Sequence, residues 1–271
     1  MKAAKFDYVA PASLDEALAS LAENGGKIIS GGQSMGPMMN MRLATPDRVV
    51  DLRRLPELTG YSEDGGKLVV GAAVTHAQIE DGALPDATRG MLPSVASNIA
   101  YRPVRTRGTI GGSLCHADPA ADWPSALTAL GATLMIAGTG GRRRIGIDDF
   151  MLGAFATALG EGEVLAAVEV PVLSDAARWG YYKFCRKTGE FAETICGVVF
   201  DPANDIRRVV LGALGGAPRR LAALEEKLGD GIPGEEEIAA AIDALGIAFE
   251  QDQRVMHNTA VKRAMQQAFG S

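Results

Sequence analysis

Lys27-Ile28-Ile29-Ser30-Gly31-Gly32-Gln33-Ser34 carries a short apolar strand straight into two glycines flanked by hydroxyl side chains. Backbone amides in such a loop can converge into an anion-binding nest, and the missing side chains let a pyrophosphate come close to the main chain. A second stretch of similar make-up, Thr109-Ile110-Gly111-Gly112-Ser113, lies far downstream. Tight turns explain most single loops of this kind. The pair, the first directly following a strand, puts a shared phosphate-bearing ligand on an equal footing with that reading. Neither loop is a standard nucleotide fingerprint: no G-x-G-x-x-G opens a helix, and no G-x-x-x-x-G-K-[ST] is present. Rossmann and P-loop readings both fail.

Outward from the first loop, Ser13-Leu14-Asp15-Glu16-Ala17-Leu18 combines a capping serine, early acids and apolar residues at helical spacing, which predicts a helix over 13–24. Residues 47–52 read as a second strand. Turn residues at Pro56, Gly60, Gly65 and Gly66 precede a strand over 68–74, and Thr75 can cap the helix after it. Helices are expected over 91–100 and 120–130, the latter ended by Gly131, with an irregular glycine-rich segment over 103–119. Strands follow at 132–137, 144–147 and 164–172, and the stretch from Pro171 to Arg178 reads as a boundary. Beyond it come strands near 180–186, 194–200 and 206–214, then helices near 219–228, 234–246 and 257–269. Helices and strands mix without strict βαβ alternation, so the fold class is α+β rather than a doubly wound sheet.

Composition narrows the function. The 271 residues carry 27 Lys+Arg against 33 Asp+Glu, a net charge of −6, which leaves little surplus for a phosphate-backbone reader. The tightest basic cluster, Arg142-Arg143-Arg144, follows Gly138-Thr139-Gly140-Gly141 and reads as the far side of a solvated hairpin. The N-terminus lacks the apolar core of a signal peptide, and nowhere do 18 apolar residues run together. Three widely spaced cysteines form neither a disulfide framework nor a C-x-x-C pair. These features point to a cytoplasmic protein with no nucleic-acid partner and no membrane span.

Few residues announce chemistry. Cys115 and His116 adjoin, but His76 and His257 are distant and no H-E-x-x-H spacing exists, so no metal site is expected. Asp118 and Asp122 read as caps for the helix near Ala120, or as acceptors for a ligand. Met35, Met38, Met39 and Met41 have the spacing of core filler. Arg102, Arg105 and Arg107 precede the second loop; they can offset phosphate charge or sit as surface arginines. No nucleophile–base or paired-carboxylate arrangement emerges, and no catalytic side chain is expected.

Three runs together resemble one family. Ile29-Ser30-Gly31-Gly32-Gln33-Ser34-Met35-Gly36-Pro37, followed by Arg42-Leu43 and Val50-Asp51-Leu52, is similar to the first FAD loop of the FAD-binding medium subunits of molybdenum hydroxylases, the xanthine dehydrogenase and carbon monoxide dehydrogenase family. Val104 through Leu114, continued by Ala117-Asp118-Pro119-Ala120-Ala121-Asp122, resembles its second loop, and Lys183 through Ala192 the start of its C-terminal domain. Gln33 stands where several relatives have His or Asn, and Met35-Gly36 replaces a commoner leucine pair.

The resemblance implies a two-lobed p-cresol-methylhydroxylase-type FAD-binding domain over 1–173, with lobes of about 1–55 and 56–173. A smaller C-terminal α/β domain of the carbon monoxide dehydrogenase flavoprotein type would follow over 174–271. Carried over by position, Ser30, Gly31, Gly32, Gln33, Ser34 and Met35 with Thr109, Ile110, Gly111, Gly112 and Ser113 would hold the FAD diphosphate. Ile99 and Ala100 would lie near the flavin or its linker, Asp122 would accept a hydrogen bond from the cofactor, Leu165 would border the nucleotide and Lys187 would reach it from the C-terminal domain. The implied role is an electron-transfer oxidoreductase subunit of a heterotrimer, in a dimer of heterotrimers. An iron–sulfur small subunit would supply [2Fe–2S] clusters and a large subunit the molybdenum–pterin. A stand-alone flavoprotein oxidoreductase of the same superfamily is the alternative, and an assembly subunit with an empty site a third reading.

Overall fold

The computed structural model describes residues 2–229 and 231–270. Met1, Asp230 and Ser271, which the expected domain bounds include, lie outside the described residues.

The first sheet is built from β1 (Asp7–Val9), β2 (Lys27–Ile29) and β3 (Arg48–Asp51), all parallel, with β3 in the middle. Between β1 and β2 runs α1 (Leu14–Asn24), capped by the Ser13 hydroxyl, which accepts from Glu16 N at 3.1 Å. Its apolar residues fall at 14, 17, 18 and 21, one stripe of a 3.6-residue period, and bury against Val50 and Leu52. Between β2 and β3 lies the short α2 (Met35–Asn40). The core of this sheet continues through Leu55 and through Leu58 of α3 (Pro56–Thr59) to Ala137, Val164 and Ala166 of the next.

The second sheet is antiparallel. In chain order it takes β4 (Tyr61–Asp64) and β5 (Lys67–Gly71), then β6 (Thr133–Gly138) and β7 (Gly141–Gly146), and last β10 (Val164–Pro171), which sits between β5 and β6. The small hairpin of β8 (Met151–Gly153) and β9 (Ala156–Thr157) precedes β10. β6 and β7 pair across Thr139-Gly140, so the arginine cluster lies on the far side of a hairpin as its glycines imply. Five helices link β5 to β6: α4 (His76–Glu80), α5 (Met91–Ser97), α6 (Arg102–Arg105), α7 (Ile110–His116) and α8 (Asp122–Leu130). The segment expected to be irregular over 103–119 thus holds α7, whose first turn contains both glycines of the second loop. Its helical state is held by tertiary contacts: Ile110 N and Gly111 N donate to Val74 O and Ala72 O at 3.0 and 2.9 Å.

The third sheet follows the order β11 (Arg178–Phe184), β12 (Thr194–Asp201), β13 (Ile206–Gly212), β14 (Arg219–Arg220), all antiparallel. One face packs on α9 (Ala222–Glu225), α10 (Glu235–Asp243) and α11 (Gln251–Phe269); the other packs on α8. The period of two along a strand decides which side chain goes where. Ile195 and Val199 of β12 join the core beneath α8, while Cys196 and Val198 join the core beneath α11. α8 is therefore buried along its whole length. The helix expected at 219–228 begins as the two-residue β14, and α11 starts at Gln251, six residues earlier than expected, because Glu250 and Gln253 form a capping box.

Glycines mark the points where helices touch this sheet. A Cβ at Gly180 would collide with the Ala264 carbonyl oxygen of α11, and one at Gly197 would sit 3.0 Å from Ala129 Cβ of α8. Gly180→Ala is expected to lower stability by roughly 1–3 kcal/mol through overpacking. Gly216→Ala, which meets nothing within 4 Å, should stay near wild type. Urea unfolding midpoints of the two variants check this.

Candidate functional site

A cleft of about 850 Å³ opens where the end of β2, the start of α7 and the loop between β11 and β12 converge. Its size lies toward the upper end of the roughly 300–1,000 Å³ of small-molecule sites. The first glycine loop forms one wall. The chain leaves β2, turns at Gly32 with φ of 71°, a left-handed conformation that favours glycine, and enters α2 after Ser34 without a side-chain cap. The first internal bond is Gly36 N to Gly32 O at 3.0 Å. The amides of Gly31, Gly32, Gln33, Ser34 and Met35 donate to no acceptor among the described residues, so five consecutive N–H groups remain unspent at the cleft.

The second loop meets the first. Ser30 Oγ lies 3.0 Å from Thr109 Oγ1, and a Cβ at Gly31 would collide with the Arg107 carbonyl oxygen. Gly111 is equally confined, with a Cβ there only 2.5 Å from Ala72 Cβ. The two loops differ in what they offer. Thr109 Oγ1 accepts from Gly112 N at 3.1 Å and caps α7, and the Ile110 and Gly111 amides point into the fold. The expected loops contribute unequally: the first leaves five N–H groups unspent, whereas the second leaves only that of Thr109, beside bare glycine surface and the Ser113 hydroxyl.

Behind the second loop stands His76. Trp123 Nε1 donates to its Nδ1 at 3.0 Å, and its backbone N donates to Gly108 O at 2.9 Å. Burial, reinforced by the nearby Arg105 guanidinium, pushes its pKa down to about 4.

At the opposite wall Asp122, 5% exposed at the start of α8, accepts from Tyr181 Oη at 2.9 Å and from Lys183 Nζ at 2.8 Å. Lys183 also donates to Asn98 O at 3.2 Å. Burial pushes the Asp122 carboxyl up from the ordinary aspartate range, and the Lys183 ammonium and Tyr181 hydroxyl act against that rise. Burial and the Asp122 carboxylate push the Tyr181 hydroxyl well up. Tyr181 and Lys183 share a face of β11 by strand alternation, so one carboxylate pins the third sheet to α8 at the edge of the cleft.

A family profile described as "FAD binding domain in molybdopterin dehydrogenase" matches residues 4–173. The chain belongs to this family. The carbon monoxide dehydrogenase medium chain of Hydrogenophaga pseudoflava is 34% identical over 267 residues, 96% of this chain and 93% of that one. The nicotine 6-hydroxylase medium subunit of Paenarthrobacter nicotinovorans is 38% identical over 220 residues, 79% of this chain and 77% of that one. Among solved structures, carbon monoxide dehydrogenase from H. pseudoflava lacking the Mo-pyranopterin moiety superposes with a TM-score of 0.90 at 34% identity, covering 99% of this chain and 98% of that one.

The cleft of this FAD-binding domain suits a dinucleotide: a row of unspent amides beside bare glycine surface accepts a diphosphate, and the cleft extends along Leu165 on one side and Ile99 and Ala100 on another. The residues expected from the sequence divide clearly. Ser30 to Met35, Ile99, Ala100, Thr109, Gly111, Gly112, Ser113, Asp122 and Leu165 line the cleft. Ile110 is fully buried and does not. Lys187 is exposed and lies outside the lining; the lysine that lines it is Lys183, four residues earlier. Asp122 caps nothing, since Ala121 is the N-cap residue, while Asp118 Oδ1 accepts from Ala120 N at 2.9 Å. Met35 and Met38 line the cleft, Met39 is core and Met41 is exposed. Arg102 and Arg105 are engaged with Glu80 and Asp81 rather than with the cleft. His76 carried no local motif; Lys183 opens the third family-like run but was not singled out, although strand alternation from Tyr181 was an available signal for it.

Two measurements follow from this geometry. Gly31→Ala should drive the loops apart and lower flavin content in the purified chain severalfold, whereas Gly36→Ala, with nothing within 4 Å, should keep it. His76 is neutral in both native and unfolded chains above its ordinary value of 6.5; between 6.5 and about 4 only the unfolded chain takes the proton. Stability contributed by this site should therefore fall as pH drops through that window, by roughly 3 kcal/mol in all. Urea unfolding across that range should show a shallower slope for His76→Gln than for wild type.

Proposed function

We propose that this chain is the subunit by which electrons leave a heterotrimeric molybdenum hydroxylase. It would carry FAD, take electrons from the [2Fe–2S] clusters of a small subunit after substrate is hydroxylated at a molybdopterin large subunit, and pass them to an external acceptor. The observation that carries this reading is the meeting of the two glycine loops at Ser30 and Thr109, with the amides of residues 31–35 unspent beside them. Family membership and the near full-length match to a carbon monoxide dehydrogenase medium chain support it.

FAD, when bound, supplies chemistry that joins single-electron donors to a two-electron acceptor. This chain's residues bind and orient. Amides 31–35 would donate to phosphoryl oxygens, and Gly111 and Gly112 would leave room for them. The Asp122 carboxylate, with one bond on each oxygen, retains lone pairs for a donor on the cofactor. Ile99 and Ala100 would flank the flavin or its linker and Leu165 the nucleotide, and the lysine reaching the cofactor from beyond residue 173 would be Lys183, which lines the cleft, in place of the expected Lys187. A division into lobes of about 1–55 and 56–173 and a C-terminal domain over 174–271, assembly as a dimer of heterotrimers, and a cytoplasmic location complete the proposal. No helix among the described residues is long and apolar enough to cross a membrane.

Affinity purification of the full-length chain from its native host tests the assignment. Flavin and iron–sulfur absorbance together with two co-purifying chains is the expected result. A flavin bleached by a reducing substrate in the absence of partners would replace it with a stand-alone oxidoreductase, and a colourless chain that still holds partners with an assembly role.

A further inference from the structure

His76 is 5% exposed and lines the cleft beside Gly108, Gly111 and Gly112. An indole N–H can only donate, so the bond from Trp123 makes His76 Nδ1 the acceptor and leaves the proton of the neutral ring on Nε2. Nε2 abuts Gly108, where a Cβ would come within 2.8 Å of it. No acceptor for the Nε2 proton exists among the described residues, although the neighbouring amides of Gly108, Ile110, Gly111 and Gly112 are all engaged. Although the residue as a whole is buried, Nε2 is not among the sealed-in side-chain atoms that lack a partner, so this N–H opens on the cleft, where a ligand acceptor can reach it. Protonation is disfavoured, because an imidazolium would forfeit the Trp123 bond and set a second donor, on Nδ1, against the indole N–H.

We propose that His76 Nε2–H donates a hydrogen bond to a phosphoryl oxygen of the bound dinucleotide, with Trp123 as the positioning residue that fixes the tautomer. The inference rests on the reading of the cleft as an FAD site. It adds a side-chain donor on the second loop's side of the cleft, where the amides of residues 110–113 are spent inside the fold and only that of Thr109 is left without an acceptor among the described residues. The imidazole is held neutral, so it acts as a directed donor and needs no counter-ion before the ligand arrives.

The test uses the full chain freed of flavin and labelled with 15N-histidine; the sequence has three histidines. Saturation with FAD should move the His76 Nε2 proton downfield and slow its exchange with water, while Nδ1 remains an acceptor. Riboflavin, which has no phosphate, should leave both unchanged. His76→Leu should weaken FAD binding by roughly 10- to 100-fold in a fluorescence titration, the range expected for one hydrogen bond to a charged acceptor. His76→Gln, whose carboxamide can place an N–H in the same direction, should recover part of the loss. A Nε2 signal indifferent to saturating FAD, a response to riboflavin equal to that with FAD, or a His76→Leu chain that binds FAD as wild type does would each overturn the proposal. If His76→Leu does not fold, the wild-type spectra decide alone. A wild-type chain that takes up no FAD would sink the cofactor reading itself, a result distinct from FAD binding that ignores His76.

Discussion

The contact between the loops at Ser30 and Thr109 is the constraint on which the site depends. It requires glycine at position 31, because any side chain there would strike the Arg107 carbonyl, and glycine at 111, because Ala72 lies against it. It also divides labour. One loop must be satisfied within the fold to form a firm surface, and α7 achieves this by donating to Val74, Ala72 and Thr109. The other can then leave its amides open to a ligand. Two loops with open amides would strand more unpaired donors before the ligand arrived, and two closed ones would offer nothing to an anion.

α8 ties this arrangement to the rest of the molecule. Its first turn supplies Asp122 to Lys183 and Tyr181, its second residue is the Trp123 that orients His76, and its far flank fits against Gly197 of the third sheet. A single helix thus carries contacts to both walls of the cleft and to the C-terminal sheet. The main core accordingly runs from Leu68 to Val210 without a break at residue 173, and β11 delivers Lys183 to the cleft as part of that same packing.

Much of this was legible in the sequence where the signal was local. The Ser13 and Thr75 caps, the α1 stripe, the β6–β7 hairpin and the glycine loops each depend on residues within a few positions of one another. What escaped depends on distant partners. α7 is a helix despite two glycines in its first turn, because Val74 and Ala72 receive its amides; propensity alone favours an irregular segment there. Arg102 and Arg105 look available for phosphate until Glu80 and Asp81, more than twenty residues earlier, are placed beside them. Lys187 and Lys183 are separable only once the pleat of β11 is known. His76 gains its meaning from Trp123, 47 residues away.

The complete burial of α8 has a further consequence. A helix packed on both sides has no room to shift when charge nearby changes, and close-packed interiors yield little under such a load. For a protein that passes electrons, this means the groups α8 brings to the cleft, Asp122 and the Trp123–His76 pair, are already set and need not rearrange at each transfer. The share of reorganisation that falls to α8 is then small, and what adjustment a transfer requires is left to the open cleft and its solvent.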